Sequence, residues 1–342
     1  MRQLTFVSPL NFEWRDVPEP KVDDPRDAII EPLAVVRCDL DLYIANGIFP
    51  VSGEFALGHE TVGRVRDLGN AVGHVAIGDV VVFPFQVSCG RCVRCKRGHT
   101  SGCKEVPFRS NFGLGGINGH DWGGAFSDLM RVPFADHMLL KVPDNGDFGA
   151  LAGAADNVSD GYRAVAPHLE RFPGADVLIV GGLAQGVGLY ATQVAKILTE
   201  GRVVYADDDP SRLALAAQMG AETCTLSGDW RDMNCGLFPI TVEASSTQSG
   251  LTFALQSTEP GGVCTCVAGG VEPDHIIPRM EMYARGVTLD VSRANVHSVL
   301  GSVVEKICCG DLTPKAIAPP AYKFEDAHEL FGAPDVKQVY LK

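Results

Sequence analysis

The sequence predicts an α/β fold in two parts: a β-rich lobe over residues 1–145, completed by 291–342, and a doubly wound parallel sheet over 146–290. Three observations predict it. Short apolar runs broken by glycine and proline fill the first part; strand-like runs alternate with helical patterns from about residue 146; a glycine-rich turn follows the first of those later runs. A chain of 342 residues at 46% hydrophobic carries enough apolar surface for two cores.

In chain order, the β-like runs of the first part are 27–36, 61–65 and 79–83. The second part reads as strand 176–180, helix Val187–Leu198, strand 202–205, helix Ser211–Met219, strand 240–243 and strand 262–267. After 289–292 one more helix is expected, and then a return to the first lobe for a last strand at Gln338–Leu341. No internal repeat or low-complexity segment interrupts this order.

The first lobe contains Cys89, Cys92, Cys95 and Cys103, a C-x2-C-x2-C-x7-C spacing. Four thiolates that close together can wrap one tetrahedral Zn²⁺ and leave no position open, so the site holds shape and does no chemistry. The alternative is a group of redox or unrelated cysteines. The basic residues from Arg91 to Arg97 read as local counter-charge to a tetrathiolate. Upstream, Cys38 and the run Gly58-His59-Glu60 offer a thiolate and an imidazole, the usual ligands of a catalytic zinc that keeps a fourth position for water or substrate. Taken alone, Cys38 after the apolar stretch 32–37 reads equally well as a small core residue.

The turn Gly181-Gly182-Leu183-Ala184-Gln185-Gly186-Val187-Gly188 lets the backbone approach a pyrophosphate at the N-terminus of the following helix. It departs from G-x-G-x-x-G. Either Leu183 replaces the middle glycine and Gly186 is the last, or the turn is longer and Gly188 is the last. Asp207 ends the next strand roughly 20 residues on, where an acid meets the adenosine ribose hydroxyls. A carboxylate there repels a 2′-phosphate and favours NAD over NADP. Asp207, Asp208 and Asp209 stand together, so one of them can instead cap the helix entered at Pro210-Ser211.

Cys38, Gly58-His59-Glu60, the four-cysteine lobe and the glycine-rich turn, in that order along nearly the whole chain, resemble the zinc-dependent medium-chain alcohol dehydrogenases. The resemblance implies a GroES-like catalytic domain and a Rossmann cofactor domain. It implies a catalytic zinc on Cys38, His59 and Asp156, with Asp as third ligand resembling the formaldehyde-dehydrogenase branch; otherwise Asp156 caps the helix starting there. Asp41 and Glu60 match acids that the family keeps around the zinc, where a carboxylate on the far imidazole nitrogen fixes its tautomer. Arg212 matches a basic residue near the ribose and tempers the NAD preference, since an arginine there can help hold a phosphate; Val267 joins the cofactor-binding candidates. Two positions depart from the pattern. Leu40 stands where a proton-relaying Ser or Thr is usual, and Asp160 stands where relatives carry Thr near the nicotinamide. Asp160 is therefore expected to replace the relay as an acid-base group, with Tyr43 as second choice; its alternatives are contact with a polar substrate and, more plainly, a solvent-facing acid.

Lys plus Arg is 29 and Asp plus Glu is 42, a net charge of −13, which argues against nucleic acid or an anionic membrane as partner. No apolar run is long enough to span a bilayer, and the N-terminal residues lack a secretory pattern, so the cytoplasm is expected. Of the 11 cysteines, Cys224, Cys235, Cys264, Cys266, Cys308 and Cys309 lie in apolar segments outside the ligand sets and are expected to be reduced thiols. The leading function is hydride transfer between a small or medium alcohol or aldehyde and NAD, with two zinc ions per chain and a homo-oligomeric (dimer or tetramer) assembly. The alternatives are a polyol, threonine-like or formaldehyde-type dehydrogenase or dismutase, and a non-catalytic zinc-stabilised scaffold on the same fold.

Overall fold

The β-like runs of the first part pair into two sheets. The structure, a computed structural model, describes residues 1–269 and 274–342, with the backbone alone at Asn118. Strands β1 (Arg2–Ser8), β2 (Asn11–Asp16), β3 (Ala28–Val36), β4 (Phe55–Ala56), β5 (Glu60–Leu68), β6 (Val80–Val82), β7 (Met130–Val132) and β8 (Leu140–Lys141) all precede the parallel sheet. β2-β1-β4 form a small antiparallel sheet, and β3-β5-β6-β8 run from the interior of a larger one to its β8 edge, with β7 also on β3. The central strands read as near-continuous apolar runs because they are covered on both faces: in β3 only Glu31 and Leu33 are not fully buried.

The second part holds β9 (Val177–Val180), β10 (Val203–Asp207), β11 (Glu222–Thr225), β12 (Phe238–Glu243), β13 (Thr258–Cys266) and β14 (Thr288–Val291). All its pairings are parallel and the order is β11-β10-β9-β12-β13-β14, which reverses direction between β9 and β12. That is the doubly wound Rossmann arrangement, with its switch point between β9 and β12. Its core joins Leu178, Val180, Val204, Phe238, Phe253 and Leu255, all buried. The expected helices appear as Gln185–Leu198, Pro210–Gln218 and Leu300–Cys308. The chain then adds β15 (Tyr322–Lys323) and β16 (Val339–Leu341), and β16 pairs antiparallel with β3.

The chain divides into two compact units, 1–159 with 295–342 and 160–294. Relative to 145 and 290, the observed divisions lie later in sequence. Phe148–Ala152 and Gly153–Ala155, expected in the second part, pack on β3 and β5 of the first unit. No described helix is long and apolar enough to cross a membrane.

One expectation is corrected. Cys224, at the end of β10's neighbour β11, and Cys235, in the loop before β12, form a disulfide across a sequence separation of 11. The apolar character of both residues hid their spatial approach: each packs against the second unit's core from its edge. Cys264, Cys266, Cys308 and Cys309 are free thiols, as expected.

Candidate metal and dinucleotide sites

The β3–β5 register builds the first site. Val36 pairs with Glu60, so Cys38, two residues past the end of β3, arrives beside His59, one residue before β5. Gly58 makes the entry possible. Its φ is +87°, and a Cβ there would stand 2.7 Å from a Phe126 ring carbon, so a side chain is excluded on both counts. Asp156 ends the short helical turn Gly153–Ala155 that packs on β5.

Cys38, His59, Glu60 and Asp156 each offer a ligand atom, all within 4.8 Å of one another, and all four residues are buried. Cys38 Sγ lies 3.2 Å from Asp156 Oδ2, and His59 Nε2 lies 3.3 Å from the same oxygen. Metal–ligand bonds of about 2.0–2.3 Å give tetrahedral edges of roughly 3.3–3.8 Å, so these spacings fit one small cation. Among the described residues, both ring nitrogens of His59 and Oε2 of Glu60 are buried without hydrogen-bond partners, the condition of ligands arranged for an ion. The Asp156 carboxylate therefore turns to the ligand cluster, which favours the ligating alternative over the capping one.

Electrostatics agree. Burial pushes the Cys38 thiol well above its ordinary value, and the Asp156 and Glu60 carboxylates push it further. Burial also raises Glu60, to about 8, against the pull of Lys337. On His59, burial disfavours the charged ring, but Asp41 and Asp156 outweigh it and the pKa rises to about 9. So many buried acids and a thiol around one point call for a cation. Asp41 takes the position expected of it: Oδ2 accepts from the Cys38 backbone N–H at 3.0 Å, and Oδ1 faces His59 Nδ1 at 3.6 Å.

Three residues of this site escaped the sequence reading. Lys337 is fully buried and pairs Nζ with Glu60 Oε1 at 2.8 Å, while also donating to Arg37 O at 2.9 Å and Asn157 Oδ1 at 2.5 Å. Asn157 donates in turn to Asp156 Oδ2 at 3.1 Å and Cys38 Sγ at 3.4 Å. Arg37, buried, donates to the Phe331, Ala333 and Asp335 carbonyls and fixes the segment that leads to Lys337. No local pattern in Val336-Lys337-Gln338-Val339-Tyr340-Leu341 marks the lysine as buried.

Cys89, Cys92, Cys95 and Cys103 also converge with all ligand atoms within 4.8 Å. Cys95 Sγ stands 3.5 Å from Cys92 Sγ and 4.0 Å from Cys89 Sγ, close to a tetrathiolate edge of roughly 3.8 Å. Backbone N–H groups of Cys95 and Lys104 lower the Cys92 thiol to about 6, while burial raises Cys95 and Cys103. A lobe of short helical turns with three buried cysteines as its apolar centre has little other core. Cys95→Ala is therefore expected to cost the lobe its ion and most of its structure, read as loss of about one zinc per chain and faster proteolysis between residues 89 and 103.

In the second unit, β9 ends at the glycine turn. A Cβ on Gly181 would stand 2.2 Å from Asp207 Oδ2, and one on Gly182, at φ +147°, 2.6 Å from Ser245 Cα. The helix starts at Gln185, and Gly188 is the glycine that packs it on the sheet, its Cβ position 3.2 Å from Ala244. The longer of the two readings of the turn is therefore the one adopted. Gly186 and Val187 form the helix's first turn, buried, and Val267 directly follows β13. Asp207 is fully buried at the end of β10. Arg212 Nε and Nη2 each donate to it at 2.7 Å, with Tyr205 OH at 2.9 Å and the Asp209 N–H at 3.0 Å. Asp209, not Asp207 or Asp208, caps the next helix, through the Ser211 and Arg212 N–H groups.

Asp160 is not the open acid expected of a proton acceptor. It is buried and ion-paired to Arg163, Nε to Oδ1 at 2.8 Å, one helical turn on. Its carboxylate is engaged by that guanidinium and does not stand open toward a reacting group. Tyr43 lies half-buried on helix Asp39–Ala45, where its carbonyl accepts from the Ile48 and Phe49 N–H groups.

Known proteins share these features. Residues 24–144 match the alcohol dehydrogenase GroES-like domain and residues 186–306 the zinc-binding dehydrogenase domain. A medium chain reductase/dehydrogenase of Acremonium sp is 35% identical over 232 residues, 66% of this chain and 76% of that protein. A glutathione-independent formaldehyde dehydrogenase of Pseudomonas aeruginosa is 33% identical over 240 residues, covering 67% of this chain but only 59% of the relative's length. The solved alcohol dehydrogenase of Thermus sp. ATN1 superposes with a TM-score of 0.90 at 29% identity, over 100% of this chain and 99% of that one. The two sites on this fold define a zinc-type oxidoreductase. The chain belongs to the medium-chain dehydrogenase/reductase family.

Proposed function

We propose that this protein transfers a hydride between a small or medium alcohol, or the corresponding aldehyde, and NAD. The observation that supports it most is the convergence of Cys38, His59 and Asp156 at tetrahedral spacing. A zinc ion held there supplies Lewis-acid polarisation of a substrate oxygen. Around it, Asp41 orients the His59 ring, Asn157 holds Asp156 and Cys38 by donated hydrogen bonds, and Lys337 draws Glu60 aside by one oxygen. Cys89, Cys92, Cys95 and Cys103 take the second, structural ion. A screen of alcohols and aldehydes with NAD, following the reduced cofactor, tests the reading; no turnover with about one zinc per chain would favour the scaffold instead.

NAD is favoured because Asp207 closes the adenosine half of the sheet. Asp207→Gly both removes that carboxylate and frees Arg212 for a 2′-phosphate, so the NADP-to-NAD ratio of kcat/KM should rise by about 10- to 100-fold. An unchanged ratio would move the discriminating acid to Asp208. Asp156 as third ligand, together with the formaldehyde dehydrogenase relative, supports a formaldehyde-type dehydrogenase or dismutase as second reading; NAD retained through purification would favour the dismutase. The same proposal places the protein in the cytoplasm on the strength of its nine free cysteines, with the Cys224–Cys235 disulfide as the feature that weighs against it. It also makes it a homo-oligomer: β14 ends the sheet without a further partner among the described residues, and Ile276, Met280 and Tyr283, which lie between β13 and β14 in sequence, are 81%, 76% and 84% exposed.

A further inference from the structure

Beside the sheet's second half stands a buried donor without a partner among the described residues. Arg163 lies on helix Asn157–Arg171 with its side chain 11% exposed. Nε donates to Asp160 Oδ1 at 2.8 Å and Nη1 to Ser292 Oγ at 2.8 Å. Nη2 is buried and has no partner among the described residues. Ser292 immediately follows β14, so the guanidinium stands at the carboxyl end of that parallel strand. Ligands of such sheets bind along the carboxyl ends of the strands, one mononucleotide to each half. Asp207 assigns the adenosine to the β9-β10-β11 half, which leaves the β12-β13-β14 half for the nicotinamide.

We infer that Arg163 is a cofactor-binding residue whose Nη2 donates to the carboxamide oxygen of the nicotinamide, with Asp160 and Ser292 as the groups that aim it. This rests on the NAD reading above. The choice of a neutral acceptor follows from charge. Asp160 already neutralises the guanidinium, so the remaining N–H group is matched by a carbonyl and is a poor counter-ion for a second carboxylate. A planar guanidinium with two of its nitrogens tied has one direction left for the third, which gives the contact a fixed geometry. Asp160 becomes a positioning residue, which explains an acid there without any part in proton transfer.

The test compares NADH with ADP-ribose, which lacks the nicotinamide, by titration calorimetry on the zinc-loaded protein and its Arg163→Met and Asp160→Asn variants. Expected for Arg163→Met is about tenfold or more weaker NADH binding with ADP-ribose affinity unchanged within about twofold. Asp160→Asn, which loosens the aim but keeps the donor, should fall between wild type and Arg163→Met for NADH alone. Equal weakening of both ligands would make Arg163 a structural residue and overturn the inference, as would unchanged NADH binding. Wild-type protein that binds neither ligand would instead remove the NAD reading beneath it.

Discussion

His59→Ala should leave a folded protein with about one zinc per chain and kcat/KM lowered by at least about 10³-fold. The ring supplies the one nitrogen among the four candidate ligands, its Nε2 faces Asp156 Oδ2 at 3.3 Å, and Glu60, the remaining candidate, is held by Lys337 through one oxygen. Lewis-acid stabilisation is worth several kcal/mol, hence three or more decades in rate. The fold should persist because His59 sits at the end of β5 with its backbone placed by Gly58 and the β3 pairing, and the four-cysteine lobe is untouched. Metal analysis beside circular dichroism and steady-state kinetics checks it. A variant with its structural zinc retained that turns over at the wild-type rate would refute the site assignment.

The largest loss of stability is expected from Lys337→Met, about 3–5 kcal/mol in denaturant unfolding. Lys337 and Glu60 are both fully buried, 2.8 Å apart, and removing the ammonium strips Glu60 of its hydrogen-bonded counter-charge beside the Asp156 carboxylate. The lost bonds to Arg37 O and Asn157 Oδ1 add unsatisfied acceptors. Part of the cost is a stranded charge and not a lost contact, so the double change Lys337→Met with Glu60→Gln should recover a good share of it. If the double variant is as unstable as the single one, packing and the two lost acceptors account for the effect, and the ion pair does not.

What the sequence made legible is what short spacing carries. Four cysteines within 15 residues, a histidine next to a strand start, and strands alternating with helices each encode geometry locally, and the β3–β5 register then joins Cys38 to His59. What it hid is set by long-range pairing. Lys337 meets Glu60 across 277 positions, and Arg163 meets Ser292 across 129, with no local pattern to announce either. Asp160 differs: its place after the third ligand suggests an open acid, whereas its partner Arg163 lies three residues on, a helical i,i+3 pair that the sequence itself displays. Cys224 and Cys235 looked like ordinary apolar thiols because a strand edge and a loop meet only in three dimensions. The glycine turn was undecided until Gly188 was seen against Ala244.

The pairing of β16 with β3 also sets a timetable. During synthesis at about 5–20 residues per second, Lys337 emerges tens of seconds after His59 and Glu60 have left the ribosome. Throughout that interval Glu60 has no ammonium beside it, and β3 has an open edge where β16 will lie. The second unit, continuous from 160 to 294, can fold in the meantime, while the metal-bearing unit waits for its far end. A nascent chain thus holds an acid-rich, lysine-free metal pocket beside an unpaired strand, the stage at which loading with a wrong cation or edge-to-edge aggregation is easiest.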